Sequence, residues 1–180
     1  MGAAHAGGGR GREGLSVSGT EAGVELIQRE AALLDEQRWD DWLALYTEDC
    51  EFWMPAWKSD GTMTADPRSE LSHIYYANRR GLEDRIVRIR SGKSPASTPM
   101  PRTAHLLSSI LPLEPLGKER MRLRSTWACH VVFLRTGENH AFFGRYEHEL
   151  ALKGGAWKIA KKKILLQNDR IPTMLDIYCV

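Results

Sequence analysis

Arg120-Met121-Arg122-Leu123-Arg124-Ser125-Thr126-Trp127-Ala128-Cys129-His130-Val131-Val132-Phe133 is the stretch that decides the fold. Met121, Leu123, Trp127, Cys129, Val131 and Phe133 all fall on odd positions, the period of a strand that turns one face to a core. Arg120, Arg122, Arg124, Val132 and Leu134 share the opposite face. A sheet with large side chains on both faces needs both covered, so the chain is expected to be oligomeric or poorly soluble alone. Downstream, Thr136-Gly137-Glu138-Asn139 and Lys153-Gly154-Gly155 read as hairpin breaks that separate strands over about 140–152 and 156–167. Upstream, period two begins at His105, with Leu106, Ser108 and Ile110 alternating with Leu107 and Leu111. Pro95, Pro99 and Pro101 with Ser91-Gly92 make 91–101 an extended loop. The C-terminal half is therefore expected to be a long antiparallel meander.

The N-terminal half changes period. Val24, Ile27, Ala31 and Leu34 recur at helical spacing behind a possible capping box at Ser18-Thr20-Glu21, and Arg38 interrupts the run. Trp39, Trp42, Leu43 and Tyr46 give a second short helix with an aromatic face. Cys50, Phe52 and Met54 alternate before Pro55 as a strand, 71–76 can form another, and Leu82, Ile86 and Ile89 mark a third, arginine-rich helix. Helices first and strands afterward indicate an α+β fold, an antiparallel sheet with helices on one face. Residues 1–19 hold seven of the 16 glycines and read as a flexible tail, leaving 20–180 as a single domain.

Composition narrows the function classes. Lys plus Arg (25) nearly balances Asp plus Glu (23), so a net charge of +2 offers no field to hold nucleic acid. No run approaches the roughly 20 apolar residues that span a bilayer, and the N-terminus has no apolar signal core. A cytoplasmic protein without a membrane partner is expected. Cys50, Cys129 and Cys179 are widely spaced and read as reduced thiols.

The six histidines, at 5, 73, 105, 130, 140 and 148, are never closer than eight positions. No local metal pair exists, and a Rieske site built from local Cys and His pairs is excluded. Cys129 and His130 are strand neighbours on opposite faces, a buried thiol beside an outward imidazole rather than nucleophile and base. His140 and His148 would share a face, with cross-strand pairing as the expected role. G-x-S-x-G, P-loop and G-x-G-x-x-G motifs are all missing. Asp35, Asp40, Asp41, Glu48 and Asp49 cluster near the aromatic helix, where a carboxylate beside Trp39 or Trp42 could act as a general base; cap and turn roles are favoured. Seven Lys or Arg lie between Arg79 and Arg102, and of Lys161-Lys162-Lys163 at least one must point to the covered side of its strand. Acidic patches on a partner protein would explain both segments.

Three blocks, in order, resemble the small (beta) subunits of aromatic ring-hydroxylating dioxygenases. They are Glu30-Ala31-Ala32-Leu33-Leu34-Asp35 with Trp39-Asp40-Asp41-Trp42-Leu43-Ala44-Leu45 and Asp49-Cys50-Glu51-Phe52-Trp53-Met54-Pro55; Arg85-Ile86-Val87-Arg88-Ile89 with Pro101-Arg102-Thr103-Ala104-His105-Leu106; and Phe143-Gly144-Arg145 with Trp157-Lys158-Ile159-Ala160-Lys161-Lys162-Lys163. Where the family usually has Arg before the central His and Asn four residues after it, this chain has Ala104 and Ser109. The resemblance implies a curved antiparallel sheet wrapped around helices in a cone, the cystatin-like or SnoaL-like fold. It also implies a structural subunit without cofactors of its own. The large (alpha) subunit would hold the Rieske 2Fe-2S cluster and mononuclear Fe(II) in a three-plus-three hexamer fed from NADH by a reductase and often a ferredoxin. Aromatic carboxylates are the implied substrates: anthranilate, giving catechol, first, with salicylate and benzoate beside it. No catalytic, cofactor or metal residue is expected here; Arg102, His105, Arg85, Arg88, Trp39 and Trp42 are the candidates for structural or interface roles. The alternative is a free-standing dehydratase, isomerase or cyclase of the same superfamily with a general acid/base in the cone. An enzyme needs an open pocket there, whereas six Trp, five Tyr and four Phe favour a filled one.

Overall fold

The computed structural model describes residues 17–94, 97–114 and 116–180. Helix α1 (Val17–Asp35) and the short α2 (Trp39–Ala44) precede β1 (Tyr46–Pro55), β2 (Ser72–Tyr76), α3 (Arg79–Arg90) and the strands β3 (Arg102–Pro112), β4 (Arg120–Val132), β5 (Asn139–Lys153) and β6 (Ala156–Leu166). A single 3-10 turn, Ile177–Cys179, ends the chain. Residues 1–16 of the glycine-rich segment lie outside the described residues, and 17–19, expected as its end, already belong to α1. Tyr46, expected in the second helix, instead opens β1, which is longer than its alternating core suggested.

The six strands form one open sheet in the order β2-β1-β6-β5-β4-β3. Neighbours are antiparallel except β1 and β6, which run parallel. That pair corrects the all-antiparallel expectation: β1 is separated from β6 by a helix and four strands, and so lies beside a strand it could not meet by a hairpin. Leu26, Ile27, Leu33 and Leu34 of helix α1 share one buried core with Met121, Leu123, Trp127 and Cys129 of β4 and Phe142, Tyr146 and Leu150 of β5, and the helix runs along β3 and touches β4 and β6. Its end is a hydrogen-bonded cap. Gln37 adopts φ 55°, Arg38 N–H donates to Leu33 O and Gln37 N–H to Leu34 O, so two orphan carbonyls are satisfied and the chain turns directly into α2.

Period two holds along β4 and β5, where buried and open residues alternate. It fails in β3. The register with β4 slips between Ser108 and Leu111, and Ser109 sits at φ 50°, so Leu107 and Ile110 face the core while Leu106 and Leu111 are exposed. Leu106 and Ile110, expected on one face, are on opposite ones. A bulge of this kind adds a residue without adding an apolar signal, which is why alternation alone misplaces it.

Gly144 marks the closest approach of two strands. A Cβ there would stand 2.0 Å from the backbone oxygen of Leu165 on β6. Backbone cannot swing away as a side-chain tip can, so Gly144→Ala should cost about 2–3 kcal/mol and lower Tm by roughly 5–10 °C. Thermal unfolding read by circular dichroism checks this; a Tm within about 1 °C of wild type would show that the β5–β6 pair relaxes freely.

Candidate functional site

The interior between α1 and the sheet is where an enzyme on this scaffold would keep its chemistry. Here an ion pair occupies it. Glu30 holds a core-facing position between Ile27 and Leu34 and is fully buried, and Lys162, the middle member of the lysine run, points inward from β6 with 0% exposure. Lys162 Nζ donates to Glu30 Oε1 at 2.9 Å and Oε2 at 3.0 Å. Trp42 Nε1 (2.9 Å) and the Tyr46 hydroxyl (2.7 Å) donate to the same Oε1. The ammonium lies 4.3 Å from the Tyr146 ring centre and 5.6 Å from that of Phe52. Burial alone would raise the Glu30 carboxyl, but Lys162, with His148 and the Tyr46 hydroxyl, holds it below its ordinary range. The Tyr46 phenol, buried beside that carboxylate, is pushed well above its usual value and stays a donor.

Large aromatic side chains crowd around this pair. Trp42, Trp127, Tyr46, Tyr146, Phe52 and Phe142 are all buried, with Trp127 stacked on Tyr146 at 4.8 Å. Ile177–Val180 close the interior from the C-terminal side, held by Asp176, which accepts from Arg85 Nε at 2.8 Å and from Arg85 Nη2, and by contact of the Tyr178 and Ser97 hydroxyls at 3.1 Å. His148 is buried with neither ring nitrogen hydrogen-bonded, as are the Tyr146 hydroxyl and Trp127 Nε1. In place of the expected cross-strand pairing, His148 lies between Leu123 and Lys162 in the register. Burial, reinforced by Lys162, lowers its pKa to about 3.

The six candidate residues are not brought together. Trp42 lies in the interior on Glu30, and Trp39 is buried at the start of α2. Arg85 ties α3 to the C-terminal segment through Asp176, while Arg88 is exposed on the same helix. Arg102 is exposed at the start of β3 opposite Val132. His105 anchors the end of α1: its Nδ1 lies 2.7 Å from Asp35 Oδ1, its N–H donates to Asp35 Oδ2 at 2.8 Å, and the Thr103 hydroxyl donates to Oδ1 at 2.7 Å. Burial would raise the Asp35 carboxyl, yet the bonds from His105 and Thr103 keep it low. Asp40 and Asp41 are exposed in the first turn of α2 and paired with Arg90 and Arg38; neither caps the helix. Glu48 and Asp49 are exposed on β1.

Among the described residues no group of three or more His, Cys, Asp or Glu is placed to hold a metal ion, and no helix is long and apolar enough to cross a membrane. Burial pushes the thiols of Cys50 and Cys179 up to about 12 and that of Cys129 higher still, which keeps all three neutral. The ring hydroxylating beta subunit family matches residues 29–173 of this sequence. The chain belongs to that family.

As a ring hydroxylating beta subunit it is 40% identical over 157 residues to the 2-halobenzoate 1,2-dioxygenase small subunit of Burkholderia cepacia, covering 87% of this chain and 93% of that one. It is 35% identical over 156 residues to the anthranilate 1,2-dioxygenase small subunit of Acinetobacter baylyi, over 87% and 94% of the two chains. The crystal structure of the beta subunit of the benzoate 1,2-dioxygenase from Burkholderia mallei matches with a TM-score of 0.72 at 31% identity, over 93% of this chain and 99% of that one. The fold, the family and the role as part of a ring-hydroxylating dioxygenase therefore stand as the resemblance implied. The two departures from the beta-subunit pattern both lie on β3. Ser109, where the resemblance implies Asn, has a left-handed backbone, which asparagine tolerates better than serine. Ala104 is exposed and paired with His130.

Sequence reasoning missed Glu30 as the acid beside the tryptophans, looking instead to the aspartates of α2. The available signal was its phase: Glu30 falls on the apolar face of α1, while a lysine in β6 had to point inward.

Proposed function

We propose that this chain is the non-catalytic structural subunit of the terminal oxygenase of a cytoplasmic dioxygenase system that attacks an aromatic carboxylate. The observation that carries the reading is the interior: the volume that would have to admit a substrate is taken by Trp42, Tyr46, Tyr146 and the Glu30–Lys162 pair. A free-standing dehydratase or isomerase would need that volume open. On this reading the chain assembles with a large subunit, three of each in a hexamer. The large subunit supplies the Rieske cluster and mononuclear iron, with electrons arriving from NADH through a reductase and, in some systems, a ferredoxin. The relatives named for 2-halobenzoate, anthranilate and benzoate support a benzoate-type ring acid as substrate. Anthranilate, converted to catechol, is our first choice, and salicylate belongs to the same class.

Co-expression with the cognate large subunit tests this directly. A stable complex of about equal stoichiometry by light scattering is expected, with NADH-dependent oxidation of anthranilate or benzoate by the complex and the reductase, and none by this chain alone. Stoichiometric iron in the isolated chain, or unaided turnover of a small molecule by a soluble monomer, would overturn the reading.

A further inference from the structure

An open sheet ends in two edge strands, here β2 and β3, and an edge presents backbone N–H and C=O groups on which another strand can form. At one end β2 is only five residues long, too short to template much of a strand. At the other, β3 is eleven residues long and its sequence invites addition. Residues 103–113 include no Lys, Arg, Asp or Glu, and Leu106-Leu107-Ser108-Ser109-Ile110-Leu111 is an uncharged, mostly apolar window with Leu106 56% and Leu111 44% exposed. Charges, the usual deterrent on an edge strand, are missing from this one.

The charge comes from another element. Beyond the slip in β3, Leu113 N–H donates to Arg122 O, so the even residues of β4 turn their backbone groups toward β3. Before the slip their partners are Ala104 and Leu106, opposite His130 and Ala128, and the backbone of His105 points out over the edge. There its N–H donates to Asp35 Oδ2 at 2.8 Å. The other carboxylate oxygen accepts from the Thr103 hydroxyl at 2.7 Å and lies 2.7 Å from His105 Nδ1, so the end of α1 is fixed against the edge. The slip at Ser109 then exchanges which residues face β4. Leu111 stands opposite Arg124, and the outward position passes to Pro112, which has no N–H to offer. Asp35 over His105, the bulge at Ser109 and Pro112 thus divide the edge among them, and Asp35 is the one of the three that lies outside the strand.

We propose that Asp35 guards the β3 edge: by taking the His105 N–H it keeps β3 from pairing with the β3 strand of a second copy of this chain. Two such strands brought edge to edge set no like charges against each other, so nothing within the strand itself opposes the pairing. The bonds that anchor α1 to β3 therefore have a second task, which a purely structural anchor would not show. This role is independent of the assembly with a large subunit.

Sedimentation velocity of the full chain at rising concentration tests it. Asp35→Ala removes the acceptor and should raise self-association above the wild-type level at least about tenfold, the worth of roughly one freed hydrogen bond. In hydrogen–deuterium exchange the 102–108 peptide of this variant should slow as concentration rises, which places the new contact on β3. Asp35→Ser, whose hydroxyl falls short of the edge, should behave alike and serves if the alanine variant folds poorly. His105→Ala is the control: it removes a buried ring and costs stability, yet leaves the backbone N–H on Asp35, so its association should match wild type. Asp35→Asn, still an acceptor, should also stay near wild type. Wild-type association by Asp35→Ala and Asp35→Ser, or association that leaves exchange over 102–108 unchanged, overturns the inference. Equal association by His105→Ala also overturns it, because lost stability alone would then explain the effect.

Discussion

Lys162→Ala should destabilise the protein by about 3–5 kcal/mol, with Tm falling by roughly 10–15 °C. Among the described residues, the substitution removes the one cation that touches both oxygens of Glu30 and leaves the carboxylate buried with Trp42 and Tyr46 as its donors. A buried charge stripped of its partner costs far more than the intact pair is worth, because the desolvation cost remains after the attraction has gone. Glu30→Gln should cost less, since its side-chain oxygen still accepts from Trp42 and Tyr46, but it strands the ammonium. The double variant Glu30→Gln/Lys162→Met separates the two effects. It removes both charges, keeps an acceptor for the indole and phenol, and fills the lysine's volume with an apolar chain, so it should recover most of the loss. Urea unfolding of the four proteins closes the cycle, with an expected coupling of at least about 2 kcal/mol. A Lys162→Ala loss under about 1 kcal/mol would mean that the ammonium is not buried against Glu30. The same pair ties α1 to β6, and Trp42 and Tyr46 add α2 and β1, so four elements converge on one carboxylate.

The sheet could be read from the sequence because alternation is a local signal, visible in Met121, Leu123, Trp127, Cys129 and Val131 without knowledge of any partner strand. Three features could not be read in that way. The parallel β1–β6 pairing depends on which distant strand closes beside β1, and nothing in Cys50-Glu51-Phe52 records direction. The bulge at Ser109 breaks phase through backbone geometry alone. The Glu30–Lys162 pair spans 132 positions, and each member separately resembles a surface charge. One half of it was visible, since three lysines in a row on a strand cannot all face water. The family blocks were more telling than any single site residue, because the chain's conspicuous side chains do structural tasks: His105 holds Asp35, Arg85 holds Asp176 and Trp42 holds Glu30.

His148 should make the protein lose stability as the pH falls, well above the range where carboxylates titrate. In the folded protein the imidazole is fully buried, and burial together with the Lys162 ammonium keeps it neutral down to about pH 3, against the weaker opposing pull of Glu30. In the unfolded chain it takes up a proton near pH 6.5. Because the folded pKa is the lower one, the unfolded state binds the extra proton between these values. The neutral ring's contribution is thus complete above about pH 6.5 and is lost at roughly 1.4 kcal/mol per pH unit as the solution is acidified toward 3. Glu30 and Asp35, both held below their ordinary values, add their own losses lower in this range, as their unfolded counterparts take up protons. His73 is also lowered by desolvation, but it is exposed on β2 and adds little in that window. Comparison with His148→Leu isolates the one group. The variant removes two ring nitrogens that have no hydrogen-bond partner, so at pH 7 it should be about as stable as wild type. Between pH 7 and 5 the wild type should then lose about 2 kcal/mol more than the variant in urea unfolding. Parallel pH profiles for the two proteins would show that the ring can be protonated in the folded state, and that the interior around Lys162 is wetter than its packing of Tyr146, Phe52 and Trp42 implies.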